Sequence, residues 1–257
     1  MSTMKKLLGD KRYTGILLAI ILGAIFIVIS LGVMNLLSGV PWYLFSSVLR
    51  IIFGVVILIL IGKIYGKSPK ELLAISNVKV AIISSIGFLL YFTYYLIDVS
   101  AGFKSFVGLS AGVFISKILL QQIATGFYEE LNYRVLILEG YNYGKKSIGR
   151  KVAYASLSFV IFGLIHVVTG WNTYGFLQTG AIGFAFAVIY LNSGNIIIPM
   201  ILHFVYDIFA NLAGYIEWNG SELFNNVNSV FEVVIFVMFI SSLVLLFKID
   251  TEKSVVV

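Results

Sequence analysis

The chain has 257 residues, 60% of them hydrophobic and 12% charged, with a formal net charge of +6 and no cysteine. A soluble fold cannot cover so much apolar surface, so the composition excludes most water-soluble classes and indicates an all-α, polytopic integral membrane protein. The missing cysteines exclude disulfides and thiolate chemistry. The basic residues fall in short loops between apolar runs, a placement that suits anionic headgroups and topology, not nucleic acid.

Met1 to Arg12 reads as a basic tail carrying Lys5, Lys6, Lys11 and Arg12. Tyr13 to Leu37 is the first expected span, too long for a cleavable signal core. Ser38 to Val40 is a turn, and a second span from about Pro41 to Ile61 is interrupted by Arg50, which either snorkels or faces the bundle interior. The loop with Lys63, Lys67, Lys70 and Lys79 contains Ser68-Pro69-Lys70-Glu71, a capping box with proline at the first helical position. It predicts a short surface helix to about Ile75. The third span is Val80 to Leu96, Asp98 to Lys104 is a link, and the fourth span runs from Leu109 to Leu138. A basic loop (Lys145, Lys146, Arg150, Lys151) precedes the fifth span, Val152 to Val168, with Trp171 as an interfacial anchor in its exit turn. Tyr174 to Leu191 is the sixth, Asn192-Ser193-Gly194-Asn195 a tight turn, and Ile196 to about Tyr215 the seventh. Glu217, Glu222 and the sequon Asn219-Gly220-Ser221 lie in the next loop, Val230 to Phe247 is the eighth span, and Lys248 to Val257 is a tail.

With about eight spans both termini share one side. The tails and the loops at Lys63–Lys79 and Lys145–Lys151 then hold fourteen of the eighteen basic residues, so the charge bias makes that side cytoplasmic. The expectation is a basic tail at 1–12, a single transmembrane domain at 13–247 and a second tail at 248–257, in a bacterial plasma membrane. No internal repeat is present, which argues against a transporter built from matching halves.

The fourth span is the anomaly. Phe127-Tyr128-Glu129-Glu130-Leu131-Asn132-Tyr133-Arg134 puts two carboxylates and an arginine in a membrane helix, where each costs about 2.5–3.5 kcal/mol on insertion scales. Glu130 and Arg134 are four apart, a favourable helical ion pair. Lys117, Gln121, Thr125, Glu129 and Tyr133 form a polar stripe at the same step, which must line a cavity or another helix. The two histidines also fall in apolar runs: Phe162 and His166 share one face of the fifth span, and His203, Asp207 and Asn211 one face of the seventh. The sixth span has a small-residue face at Gly175, Thr179, Gly183 and Ala187. If Arg134 neutralises Glu130, Glu129 is free to take a proton from water. A histidine can hold that water or steady an oxyanion. Together these groups equip a wet intramembrane cavity for hydrolysing an amide.

The ordered motifs Glu129-Glu130-x-x-x-Arg134, Phe162-x-x-x-His166 and His203-x-x-x-Asp207 resemble the CAAX protease and bacteriocin-processing (Abi) family of intramembrane endopeptidases. The similarity covers roughly Leu109 to Asn211, the expected catalytic core at 109–211. The resemblance implies eight helices and a water activated by Glu129, with His166 positioning that water. It assigns oxyanion stabilisation to His203 and position 207. Many family members carry asparagine at that position, so Asp207 is expected either to be a neutral donor or to orient His203, with Asn211 as a possible donor one turn on. Implied substrates are a prenylated CAAX tail or, in bacteria, a bacteriocin or signalling peptide. No cofactor is expected. The alternative is a zinc held by Glu129, His166 and His203, although the helical His-Glu-x-x-His motif is missing. The contrasting functions are a non-catalytic immunity or scaffold protein on the same fold and a proton-coupled transporter. Counted along the helices, Glu129 and His203 lie about 10–15 Å from the cytoplasmic ends and His166 about 20 Å, a mismatch that tilt or a fifth span starting nearer Ser147 must absorb.

Overall fold

The computed structural model describes residues 11–141, 147–218 and 221–249. Lys5, Lys6, Lys145, Lys146, Asn219, Gly220 and most of the C-terminal tail lie outside those ranges. Among the described residues ten helices follow one another: α1 (Lys11–Met34), α2 (Gly39–Tyr65), α3 (Pro69–Leu72), α4 (Val78–Ser84), α5 (Ile86–Gly102), α6 (111–141), α7 (Ile148–His166), α8 (Thr173–Ser193), α9 (Ile197–Ala213) and α10 (Ser221–Lys248). The only sheet among the described residues is a two-stranded antiparallel one, β1 (Phe103–Phe106) with β2 (Ile216–Trp218), tied by a 2.6 Å Lys104–Glu217 ion pair.

Every expected span is helical. Among the described residues four helices are long and apolar enough to cross a bilayer unaided, namely Tyr13–Met34 within α1, α2, α7 and α8. The pair α4 and α5 makes a fifth if counted as one span, bent by 62°. The bend falls at Ser85, whose hydroxyl donates to the Ala81 carbonyl at 2.7 Å; such side-chain bonds back to the preceding turn bend helices. Of the other expected spans, α6 carries the charges and α9 is a shorter apolar helix. Apolar side chains such as Ile20, Ile25, Val28, Ile52 and Ile59 are exposed along α1 and α2, surface that suits lipid and not water.

The capping box forms as the sequence predicts: Ser68 Oγ accepts from the Glu71 amide at 3.2 Å, and a Glu71 carboxylate oxygen accepts from the Ser68 amide at 2.7 Å. Those bonds hold the Glu71 carboxyl below its ordinary range. The helix it opens stops at Leu72, shorter than expected. At the far end α10 begins at Ser221, earlier than the expected Val230.

The centre of the bundle is α8, buried without interruption from Gly180 to Tyr190. The expected small-residue face explains part of this. A side chain at Gly183 would collide with Phe162 at 2.7 Å, and the Gly183 carbonyl accepts from Ser158 Oγ at 3.0 Å. Backbone contact there presses α7 onto α8 and fixes Phe162 in the interior. On the other flank, α6 is held between α2 and α9. Gly194 in the left-handed region (φ 67°) ends α8, and Asn195 Oδ1 accepts from the amides of Ile197 and Ile198. That cap starts the helix that carries His203.

Candidate active site

The site grows from α6. Arg134 is completely buried and its Nε lies 3.2 Å from Glu130 Oε2, the ion pair expected from their spacing. Two phenylalanines hold the guanidinium: its carbon sits 4.4 Å from the Phe162 ring centroid and 5.5 Å from that of Phe186, and cation–π contact is strong where water is excluded. The helix is not uniform. Turns 114–120 and 131–135 are wide π turns, so the Gln121 amide donates to Ser116 and the Leu136 amide to Leu131, five residues back. Gln122 Nε2 donates to the Lys117 carbonyl at 2.9 Å across the first of them. Wide turns concentrate at functional positions, and here they bracket the stretch that ends in Glu129 and Glu130.

Gly126 sets the distance to α9. A side chain there would stand 2.9 Å from the Met200 carbonyl, so only glycine admits so close an approach. It brings His203 onto the carboxylates: Nδ1 lies 2.9 Å from Glu130 Oε1, and Nε2 lies 3.9 Å from Glu129 Oε2 and 3.6 Å from Asp207 Oδ2. The ring also stacks on Phe186 at 5.0 Å and meets the edge of Phe162 at 5.9 Å. An ionised carboxylate only accepts, so Nδ1 is the donor to Glu130 and Nε2 faces the space between Glu129 and Asp207. Glu129 Oε2 is buried without a hydrogen-bond partner. Asn211 uses its amide on the Asp207 backbone carbonyl, at 2.8 Å, and so does not present that N–H to the site.

His166 does not join the group. It is the last residue of α7, exposed, with Nδ1 2.7 Å from the Phe162 carbonyl and its ring 4.4 Å from that of Phe162. Phe162 therefore stands between the two imidazoles. The helix does begin at Ile148, capped by Ser147. Glu129, His166 and His203 do not form a ligand set. Among the described residues no three His, Asp or Glu side chains are arranged to hold a metal ion.

Residues 111–209 match the family model "Type II CAAX prenyl endopeptidase Rce1-like". This segment resembles that family. It spans less than half of the chain and contains every site residue expected from the sequence except Asn211. The match agrees with the CAAX protease and bacteriocin-processing resemblance carried by the three motifs. Among curated proteins and solved structures nothing matches the chain. The segment thus resembles CAAX prenyl endopeptidases, and the apolar helices describe an integral membrane protein.

Two site residues escaped the sequence reading. Phe186, which holds both His203 and Arg134 in the Rce1-like segment, looks in the sequence like any other apolar residue of α8. Arg50, outside the segment, faces the bundle interior, one of the two options its position left open. Its Nη1 donates to Ser46 Oγ and to the Ser46 carbonyl, and its guanidinium lies over the Phe26 ring at 4.9 Å. It is also within electrostatic range of Glu129 and Asp207. An unpartnered cation inside a span was the signal that pointed to it.

Proposed function

We propose that the protein is an intramembrane endopeptidase in which Glu129 activates a water for attack on a peptide carbonyl, without a metal. The observation that carries this reading is the contrast between adjacent carboxylates. Glu130 is fully buried, with Arg134 at 3.2 Å and His203 at 2.9 Å, whereas Glu129 is 13% exposed and lies 3.9 Å from the His203 ring. Glu129 accepts a proton as water oxygen adds to the carbonyl carbon, and the carbonyl oxygen becomes an oxyanion within reach of His203 Nε2. Nε2 donates to it only when the ring carries both protons, since Nδ1–H is committed to Glu130; the carboxylates around the ring stabilise that cation. As the tetrahedral adduct collapses, the C–N bond breaks and Glu129 returns its proton to the leaving nitrogen. Asp207 orients Nε2 from the next turn. His166 donates through Nδ1 to the Phe162 carbonyl and, with Phe162 between it and His203, takes no part in this step.

The substrate is a membrane-embedded peptide tail, prenylated or, in bacteria, a bacteriocin or signalling peptide. Purified protein assayed on a farnesyl-cysteine peptide and on membrane peptides tests the reading, with Glu129→Gln as the null. Chelator treatment and metal analysis of the same preparation test the metal-free chemistry. Full biological effect from Glu129→Gln would favour the scaffold or immunity function.

A further inference from the structure

Three carboxylates share one imidazole. His203 lies 2.9 Å from Glu130, 3.6 Å from Asp207 and 3.9 Å from Glu129. Among the described residues the cation in contact with this group is Arg134, 3.2 Å from Glu130. With the His203 ring protonated the cluster still carries one negative charge, and with the ring neutral it carries two. Carboxylates crowded in low dielectric take up a proton unless a further cation stands by.

Arg50 is a cation inside the bundle that the chemistry above leaves unused. Neither its own helix α2 nor the neighbouring α1 contains an Asp or Glu, so nothing local accounts for a charge there. Among the described residues it forms no ion pair at contact distance. Its Nη1 donates to Ser46 Oγ, the same hydroxyl accepts from Gln121 Nε2 at 3.1 Å, and its guanidinium lies over the Phe26 ring at 4.9 Å. The Phe26 ring is in turn 4.8 Å from the ring of Tyr128, the residue before Glu129. One turn on along α2, Gly54 backs onto Phe127. Arg50 therefore stands beside the part of α6 that leads into Glu129, within electrostatic range of Glu129, Asp207 and the phenols of Tyr128 and Tyr133. The other titratable groups around Glu129 are Glu130 on its own helix and His203 on α9; α1 offers the Phe26 ring.

We propose that Arg50 is a positioning residue of this site, a fixed counter-charge that offsets the third carboxylate, Asp207, and keeps Glu129 ionised as the base at neutral pH. The proposal rests on the hydrolytic reading and deepens it. Distance is part of the device. A guanidinium at hydrogen-bond range would occupy the Glu129 oxygens, as Arg134 does with Glu130. Held back by Ser46, it stabilises the charge and leaves those oxygens open to water.

The test uses the full chain purified in detergent, with two readouts. The first is infrared titration of the Glu129 carboxyl, identified as the protonated-acid band missing from Glu129→Gln. Removing a cation favours the protonated form, so the band is expected to appear at least about one pH unit higher in Arg50→Met than in the wild type, a tenfold change in proton affinity. Arg50→Lys, which keeps the charge, is expected to titrate close to the wild type. Adding Asp207→Asn to Arg50→Met removes one charge of each sign and is expected to bring the band most of the way back. The second readout is the pH–rate profile on a farnesyl-cysteine peptide, whose acid limb is expected to move with the band while the plateau rate is largely kept. An unmoved band, or a loss of rate equal at every pH, overturns the proposal. If Arg50→Met does not fold, the double variant is expected to fold and to titrate near the wild type; failure of both to fold also overturns it. A band that follows Arg50 in a wild type that cuts nothing keeps the counter-charge and removes hydrolysis. Cleavage whose acid limb ignores Arg50 keeps hydrolysis and removes the counter-charge.

Discussion

The two halves of α6 treat charge in opposite ways. From Glu130 to Arg134 every charged group is sealed: both side chains are 0% exposed, paired with each other, and packed on Phe162, Phe186 and His203. From Lys117 to Glu129 the polar stripe faces α2 and α9 more loosely, and Glu129 is 13% exposed with an unpartnered oxygen. A sealed pair inside a bundle contributes order and is closed to water. Its neighbour in the chain is reached by solvent and has nothing at contact distance to neutralise it.

The sharpest way to break this comparison is to remove one charge from each half. Glu129→Gln is expected to lower cleavage by about 10²–10⁴, the range of a lost general base, while the thermal unfolding of the purified protein changes little. Glu130→Gln or Arg134→Met is expected to destabilise by about 3–5 kcal/mol, since each leaves a buried charge uncompensated, and this should appear first as poor folding in detergent melts. Similar behaviour of Glu129 and Glu130 variants would dissolve the distinction.

Asp207 sharpens it further. If its part is to orient His203 as an ionised acceptor, Asp207→Asn and Asp207→Ala both lower kcat; if it acts as a neutral donor, the asparagine variant keeps activity and the alanine variant does not. Packing comes next. Gly126→Ala pushes α9 off α6 and is expected to cost about 1–3 kcal/mol, as overpacking does, with a parallel loss of kcat as His203 moves away from Glu130.

The smallest effect lies outside the membrane-spanning part. Lys104 and Ser105 hold the Glu217 carboxyl below its ordinary range. Such a contact is fully present above the usual glutamate pKa and is lost as pH falls through the lowered one. Melts of wild type and Glu217→Gln should therefore differ slightly at neutral pH and converge in acid, with cleavage unaffected.

The sequence shows what depends on spacing within one helix. The Glu130–Arg134 pair, the capping box at Ser68, the turn at Gly194 and the alignment of His203 with Asp207 are all local, and all are present. What it hides is tertiary or breaks the helical period. The wide turns at 114–120 and 131–135 carry no marker in residue type. The placement of Phe162 between His166 and His203 depends on how α7 crosses α8 at Gly183. The β1–β2 sheet joins segments more than a hundred residues apart, and short strands of Phe, Lys, Ser, Ile and Trp do not stand out from loop. Phe186 could be assigned only once α8 was known to be the central helix.

The most direct test of the account compares membranes carrying the wild type with membranes carrying Glu129→Gln, by mass spectrometry of their peptide content and of a farnesyl-cysteine peptide added to both. The account predicts new peptide ends with the wild type, absent from the variant although both fold and accumulate equally. Equal cleavage in the two, or a folded wild type that leaves every peptide intact, would contradict it.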